Sequence, residues 1–385
     1  MNSIINYHTT CFGELWDKSL FDLVKESIQG VFKSACIEKR QIDAVFFGNM
    51  LAGILENNLH SSSKIAEILK VNIPVFRVES ACASGSIAFH LANQYLNSKS
   101  GKTVLVIGAE KMTDYPVQEI TNALLGALSG EEQAAGLTFP GAYAMMAKAY
   151  MKKYGYGEKS LAYVSFKNHF HGSLNKQAHF QKKVTIRNIL ESPYIADPLK
   201  IFDCSPISDG ACSLILTSDK SLIKKAKHSV SVLSCETATD TISLKKRKKI
   251  YELESTKIAG NKAFKKAKLK REDINVAEVH DCFSIAEILA MEDLGFWKKG
   301  KGGKLITYGL TMLGSNSKPI VNTSGGLKSA GHPVGATGVK QIGEIFLQLT
   351  NQAQNRQVKN LKYGLAHNIG GSGGTAVVTI LGKKS

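Results

Sequence analysis

The chain lacks the features that would place it outside an ordinary reducing, aqueous setting. Its seven cysteines in 385 residues contain no CxxC pair and no paired spacing, which argues against a disulfide framework or a structural zinc site. No apolar run approaches the roughly 18 residues that a transmembrane helix needs. Met1–Thr10 has no signal-peptide core, and the last residues, Gly382-Lys383-Lys384-Ser385, are not a Ser-Lys-Leu peroxisomal address. A cytoplasmic protein is expected. Acidic residues are also scarce, 32 against 49 basic ones, giving a net charge of +17. The lysines gather at Lys245–Lys249 and between Lys262 and Arg271, with no nucleic-acid motif and no interleaved aromatics around them. They read as solvated faces that can also attract a phosphate-bearing small molecule. Neither a nucleic-acid nor a membrane partner is expected.

What is present is a chain with 43% hydrophobic residues, too long for one average domain and long enough for a large core. Short apolar runs at Ala44–Gly48, Val104–Gly108, Ser213–Thr217, Val230–Leu233 and Ala376–Leu381 read as buried strands. They alternate with helical patterns, which favours a layered α/β fold. One helix begins after Cys82, with Ile87, Ala88, Leu91, Ala92 and Tyr95 at helical spacing. Another begins after His332, with Val339, Ile342, Ile345, Phe346 and Leu349 on one stripe. A faint repeat is visible: a glycine turn feeds a buried strand at Asp209–Leu216 and again at Gly373–Ile380. The implied halves are residues 1–225 and 226–385. The polar stretch from about 116 to 200 reads as an irregular inserted loop domain of the first half.

Four segments carry chemistry. In Glu79-Ser80-Ala81-Cys82-Ala83-Ser84-Gly85, small residues surround a cysteine at a helix start. Substrate can approach there and backbone N–H groups can receive an oxyanion. A helix terminus supplies only about 0.3–1 kcal/mol, less than the roughly 1.36 kcal/mol of one pKa unit. The thiol therefore needs a base. Gly331-His332-Pro333-Val334-Gly335-Ala336-Thr337-Gly338 displays a histidine on a tight glycine turn ahead of a helix. Glu278-Val279-His280-Asp281-Cys282-Phe283 holds a second His/Cys pair, without the partner spacing of a metal site. Ala366-His367-Asn368-Ile369-Gly370-Gly371-Ser372-Gly373-Gly374 is a glycine loop able to present N–H donors; phosphate cradling is its rival use.

In this order the four segments resemble those of the thiolases, specifically the branch related to the thiolase domain of sterol carrier protein and to archaeal acetoacetyl-CoA thiolases. The His-Asp-Cys-Phe segment marks that branch, and the likeness runs through nearly the whole chain. The resemblance implies a five-layered α-β-α-β-α fold of two similar βαβαβαββ halves. It implies a ping-pong acyltransfer that makes or cleaves a 3-ketoacyl-CoA. Coenzyme A and acyl-CoA serve as substrates, and no cofactor or metal is bound tightly. By position, Cys82 is the acylated cysteine and His332 its activator. Cys282 is the second acid/base, because Asn368 stands where most thiolases carry that cysteine. His280 orients a water in one oxyanion hole; the N–H groups of Cys82 and Gly370 form the other. Ser205 lies in the segment that approaches pantetheine. A homodimer or homotetramer is implied, along with an acyl-CoA-binding partner protein. Two rival readings remain: C-acylation of a non-CoA acceptor, and a non-catalytic acyl-CoA-binding scaffold. Two departures stand out. The polar residues Asn6, Tyr7 and His8 fall where relatives have a hydrophobic first strand, which predicts a divergent or shortened start. Trp297 follows Phe296 where small residues are common, which predicts a narrowed pocket.

Overall fold

In the computed structural model, which describes residues 1–383, strand alternation builds three layers of core. Val104 and Val106 face one side of their strand, and Leu105 and Ile107 face the other, all fully buried. The same two-residue alternation recurs at Leu214, Ile215 and Leu216, and again at Val377, Val378 and Ile380. Strands buried on both faces need covering helices on both sides.

Ten strands form one sheet. The first half supplies β1 (Ser3–Thr9), β2 (Ala44–Gly48), β3 (Val75–Val78), β4 (Thr103–Glu110) and β5 (Gly210–Thr217). The second supplies β6 (Val230–Thr239), β7 (Val276–Glu278), β8 (Ile320–Val321), β9 (Tyr363–Gly370) and β10 (Thr375–Lys383). The order is 3-2-4-5-1 in the first half and 8-7-9-10-6 in the second. The two are the same topology, with matching parallel and antiparallel neighbours. They join where β1 meets β6 at Ser3 and Ile4.

Helices α1 (Leu20–Lys33) and α2 (Ser61–Leu69) cover the outer face of the first half. Helices α3 (Ser84–Asn97) and α9 (Val334–Leu349) lie side by side between the two halves of the sheet, with Ala88, Phe89, Ile342 and Ile345 in the shared core. On the outer face of the second half lie α7 (Glu254–Ala267) and α8 (Ser284–Asp293). The five layers match the expected fold. On α3 the buried stripe is Ala88, Phe89, Ala92 and Leu96, whereas Leu91 is exposed; the sequence spacing placed that stripe slightly off.

Two expectations are corrected. Residues 3–9 form a full strand in the middle of the sheet, paired with β5 from Ser3↔Thr217 to Thr9↔Cys212. Asn6 and Tyr7 find partners, which makes their place in the sheet tolerable, and His8 is only partly buried. Asn6 Nδ2 donates to the carbonyl of Val31 at 2.5 Å, and the Tyr7 hydroxyl meets Cys212 Sγ at 3.7 Å. The inserted segment is not irregular either. It carries α4 (Val117–Leu125), α5 (Phe139–Tyr154) and α6 (Glu158–Gly172). Lys167 and Asn168 of α6 are buried because Glu287 and Asp281 accept from them. Trp297 packs with Phe296 against the outer core of the second half. Of the C-terminal tetrapeptide, Lys384 and Ser385 lie outside the described residues.

Candidate active site

Backbone contact between glycines brings the two central helices' N-termini together. A Cβ on Gly335 would lie 2.6 Å from the carbonyl oxygen of Ala109 and 2.7 Å from that of Gly48. A Cβ on Gly85 or on Gly108 would lie 2.5 Å from the Gly335 carbonyl oxygen. These positions have no room for a side chain, so α3, α9 and the ends of β2 and β4 meet main chain to main chain. Glu110 fastens the junction. Its buried carboxylate accepts from Asn49 Nδ2 at 2.7 Å, from the N–H groups of Met50 and Leu51 at 2.9 Å each, and from that of Gly335 at 3.0 Å. Burial lifts its pKa to about 7 despite these donors.

Cys82 sits on a strained turn just before α3. Ala81 has φ +50°, a conformation uncommon for a residue with a Cβ. Ser84 braces the turn, its Oγ accepting from Ser80 N–H at 2.9 Å and donating to the Ala81 carbonyl at 2.6 Å. The residue as a whole is half-buried, but its thiol is enclosed. Burial pushes the thiol pKa up to about 12, against the pull of the N–H groups of Gly371 and of Cys82 itself. Gly370, next to that donor, packs so closely that a Cβ there would lie 2.6 Å from the Ser80 carbonyl oxygen.

His332 reaches the same point from the second half. Its Nδ1 lies 2.7 Å from Thr337 Oγ1, and that hydroxyl donates its one proton to the Pro333 carbonyl at 2.9 Å. Thr337 can therefore only accept, Nδ1 carries the proton, and Nε2 presents a lone pair. Burial, reinforced by Lys340, lowers the imidazole pKa to about 3. The resting pair is thus a neutral thiol and a neutral imidazole.

His280 stands edge-on to His332, ring centroids 5.0 Å apart at 84°. Cys82 Sγ and one ring nitrogen of each histidine lie within 4.8 Å of one another. Asn368 Nδ2 donates to His280 Nδ1 at 2.8 Å, while His280 Nε2 and Asn368 Oδ1 are buried with no partner among the described residues. Asp281 turns away and anchors the loop. It accepts from the N–H of Leu327 and from Asn168 Nδ2, both at 2.7 Å. A Cβ on Gly326 would lie 2.3 Å from the same carboxylate.

Cys282 is buried beside the trio, its pKa raised by burial and eased by the neighbouring Tyr143 hydroxyl. Tyr143, on α5 of the inserted segment, donates its one proton to the Gly371 carbonyl at 3.0 Å and stacks on Phe283. Ser205 N–H donates to the Cys282 carbonyl at 2.9 Å, so Ser205 joins the site through its main chain. His367 is turned to Thr256, 2.9 Å from its Oγ1. The structure therefore brings together Cys82, His280, Cys282, His332 and the Gly370–Gly371 turn. Sequence reasoning did not single out Tyr143, Thr337 or Glu110. Only Thr337 lay inside a motif already noticed.

The chain matches two family models, "Thiolase, N-terminal domain" over residues 3–220 and "Thiolase C-terminal domain-like" over residues 236–383. It is 43% identical over 383 residues to an acetyl-CoA acetyltransferase of Methanothermobacter thermautotrophicus, covering 99% of both chains. It is 35% identical over 326 residues to human sterol carrier protein 2, covering 80% of this chain and 58% of that one. Among solved structures, the Ltp2–ChsH2(DUF35) aldolase superposes with TM-score 0.85 at 19% identity, covering 99% of this chain and 97% of that one. Human mitochondrial 3-ketoacyl-CoA thiolase superposes with TM-score 0.76 at 17% identity, covering 100% and 99%.

Proposed function

This chain belongs to the thiolase family, and from that premise we propose that it makes or cleaves 3-ketoacyl-CoA by passing an acyl group through Cys82. It is an acyl-CoA C-acyltransferase, and full-length identity to an acetyl-CoA acetyltransferase supports that class. The observation that carries the residue assignment is the meeting of Cys82 Sγ with nitrogens of His280 and His332 within 4.8 Å.

In the first half-reaction the Cys82 thiol gives its proton to His332 Nε2 as sulfur attacks the thioester carbonyl. The new C–S bond forms, the carbonyl becomes an oxyanion, and collapse expels CoA thiolate, which takes the proton from His332. N–H groups of Cys82 and the Gly370–Gly371 turn receive the oxyanion. In synthesis Cys282 first loses its thiol proton to solvent and as thiolate removes an α-proton from a second acyl-CoA. The carbanion attacks the acyl-enzyme, a C–C bond replaces the C–S bond, and the expelled Cys82 thiolate takes up a proton from solvent through His332. Tyr143 is placed to stabilise the Cys282 thiolate, and His280 to donate to the enolate oxygen, directly or through a water.

The finer parts of the proposal have their own supports. A cavity of about 430 Å³ is lined by Lys246, Arg247, Lys248 and Lys249 and also by Asp240, Glu252 and Glu254, and Arg247 donates to the Ser372 carbonyl of the glycine loop at 2.7 Å. The excess of basic over acidic side chains supports placing the phosphates of CoA there. The division into halves at about residue 225, with the inserted segment from about 116 to 200, follows the repeated strand order. A homodimer or homotetramer is proposed on the free edge of β3, where Phe76 is 45% exposed. An acyl-CoA-carrying partner is proposed by analogy with the structural neighbour that joins Ltp2 to a DUF35 protein. A role in lipid metabolism and a cytoplasmic setting complete the reading; among the described residues no helix is long and apolar enough to cross a membrane.

The test is incubation with a panel of acyl-CoAs followed by intact-mass analysis. A single acyl increment that Cys82→Ala abolishes is expected. Condensation without any acyl-enzyme would overturn the ping-pong route.

A further inference from the structure

The geometry points to a second use of the same pocket: Cys82, His280 and His332 form a capture site for a thiophilic divalent cation, with Zn²⁺ the best match, that blocks the enzyme reversibly. Thiolate and imidazole are both ligands that zinc takes, usually in a tetrahedron; the same set of two histidines and one cysteine is also used for copper. Sequence spacing hides it, because the three ligands come from segments far apart in the chain. The site itself stands on geometry; only its inhibitory effect rests on the catalytic reading.

The three donor atoms lie within 4.8 Å of one another. Zinc bonds of about 2.0–2.3 Å require ligands roughly 3.3–3.8 Å apart in a tetrahedron. Closing that gap takes a shift of about 1 Å, within reach of side-chain torsions. Among the described residues no hydrogen bond holds back Nε2 of His280, which is buried and without a partner there. Both Nδ1 atoms are already engaged, by Thr337 and by Asn368. Such outer bonds orient histidine ligands in metal sites. For His332 the Nε2 lone pair is already free. For His280 the Asn368 amide must turn end for end. Its Oδ1, now without a partner, then accepts from Nδ1–H, and Nε2 is left with its lone pair.

The proton balance is simple. Zn²⁺ replaces the thiol proton of Cys82 as the Zn–S bond forms, and that proton leaves to solvent. The two imidazoles change tautomer or stay as they are and release none. One proton therefore appears per cation bound, and chelation reverses the reaction. The fourth tetrahedral position has no protein ligand in the group and is left for water or for the thiol of free CoA. Free CoA should tighten the block. Acyl-CoA should relieve it, because acylated Cys82 has no thiolate to offer.

The test uses the full chain with Cys11 and Cys36, the exposed thiols, replaced by serine, titrated anaerobically with Co²⁺ as a coloured stand-in for Zn²⁺. One Co²⁺ per chain is expected, with a thiolate-to-cobalt absorption band, one proton released per ion, and displacement by Zn²⁺. Cys82→Ser should remove the band. Asn368→Ala, which removes an outer partner, should weaken binding by about 10–100-fold, and His280→Ala and His332→Ala, which remove ligands, by more, with circular dichroism confirming that each variant folds. A band that survives Cys82→Ser, or no Co²⁺ binding at millimolar metal, overturns the site. If the band appears but no acyl-CoA acylates Cys82, the catalytic reading fails and the capture site stands. Acylation of Cys82 without the band overturns the capture site and leaves the catalytic reading intact.

Discussion

Asn368 Nδ2 lies 2.8 Å from Nδ1 of His280, so Asn368 governs how the neighbouring histidine presents itself. An amide N–H donated to Nδ1 forces the ring proton onto Nε2. His280 then offers an N–H to the reacting oxygen. Aspartate at 368 can only accept when ionised, which moves the proton to Nδ1 and turns Nε2 into an acceptor. Asn368→Asp should therefore slow turnover of acetoacetyl-CoA with CoA by roughly 10²–10³-fold, the usual effect of losing an oxyanion donor. Asn368→Ala should do less harm than Asn368→Asp, and less than Cys282→Ala. Equal rates for the Asp and Ala variants would sink the tautomer argument.

Acylation and simple alkylation should part company. Cys82 is half-buried and protonated at rest, whereas Cys11 and Cys36 are exposed. Iodoacetamide should label Cys11 and Cys36 as readily as Cys82, while acyl-CoA should mark Cys82 alone. Peptide mapping after each reagent checks both halves of the statement.

Cys282→Ala should still form the acyl-enzyme but lose carbon–carbon bond making and breaking by about 10²–10⁴-fold. Tyr143→Phe deletes the hydroxyl that supports Cys282 and the Gly371 carbonyl. A hydrogen bond to a charged group contributes about 1.5–3 kcal/mol, so that second step should fall roughly 10–150-fold with acylation little changed. Single-turnover mass analysis separates the half-reactions. Near-normal turnover by Cys282→Ala would reduce Cys282 to packing.

Thr337→Val keeps the shape of the side chain and removes the acceptor that holds the proton on His332 Nδ1. Acylation should drop about tenfold, taking about 1.4 kcal/mol for the lost orientation. Thr337→Ser should restore it, and a burst-phase measurement of CoA release is the readout.

A pH-linked effect on stability should appear at Asp209. Burial alone would raise its pKa, but donors outweigh it: Lys111 Nζ and Met112 N–H at 2.7 Å, Thr113 Oγ1 at 2.5 Å and Leu15 N–H at 3.0 Å. The folded pKa is held below the ordinary value, so this stabilisation is complete above that value and disappears as pH falls through the folded one. Asp209→Asn should cost less at neutral pH than the roughly 3–5 kcal/mol of an unpaired buried charge, because Lys111 Nζ keeps its second partner, Asp114, at 2.6 Å. The gap between variant and parent in urea unfolding should narrow below pH of about 4. A gap independent of pH would count against the ionic account.

Much of this was legible beforehand for a physical reason. A helix start and a glycine turn are local devices, so Cys82, His332 and the Gly370 loop announced themselves in short windows of sequence. The five strands read as apolar runs were likewise local, because burial on both faces leaves little ambiguity. Residues that work across the chain were not visible. Tyr143 meets Gly371, 228 positions away, and Glu110 meets Gly335, 225 positions away; nothing near either residue reports the partner. The polar first strand misled for the same reason. Asn6 looks wrong for a core until the Val31 carbonyl that receives it is known.

The neutral thiol–imidazole pair has a further consequence. Peroxide and other small oxidants attack thiolates, and susceptibility follows thiolate character and access. A sulfur that keeps its proton until a thioester carbonyl arrives is a poor target for them. On the proposed route through Cys82, the enzyme carries its nucleophile in a chemically quiet form, and substrate itself is the signal that arms it.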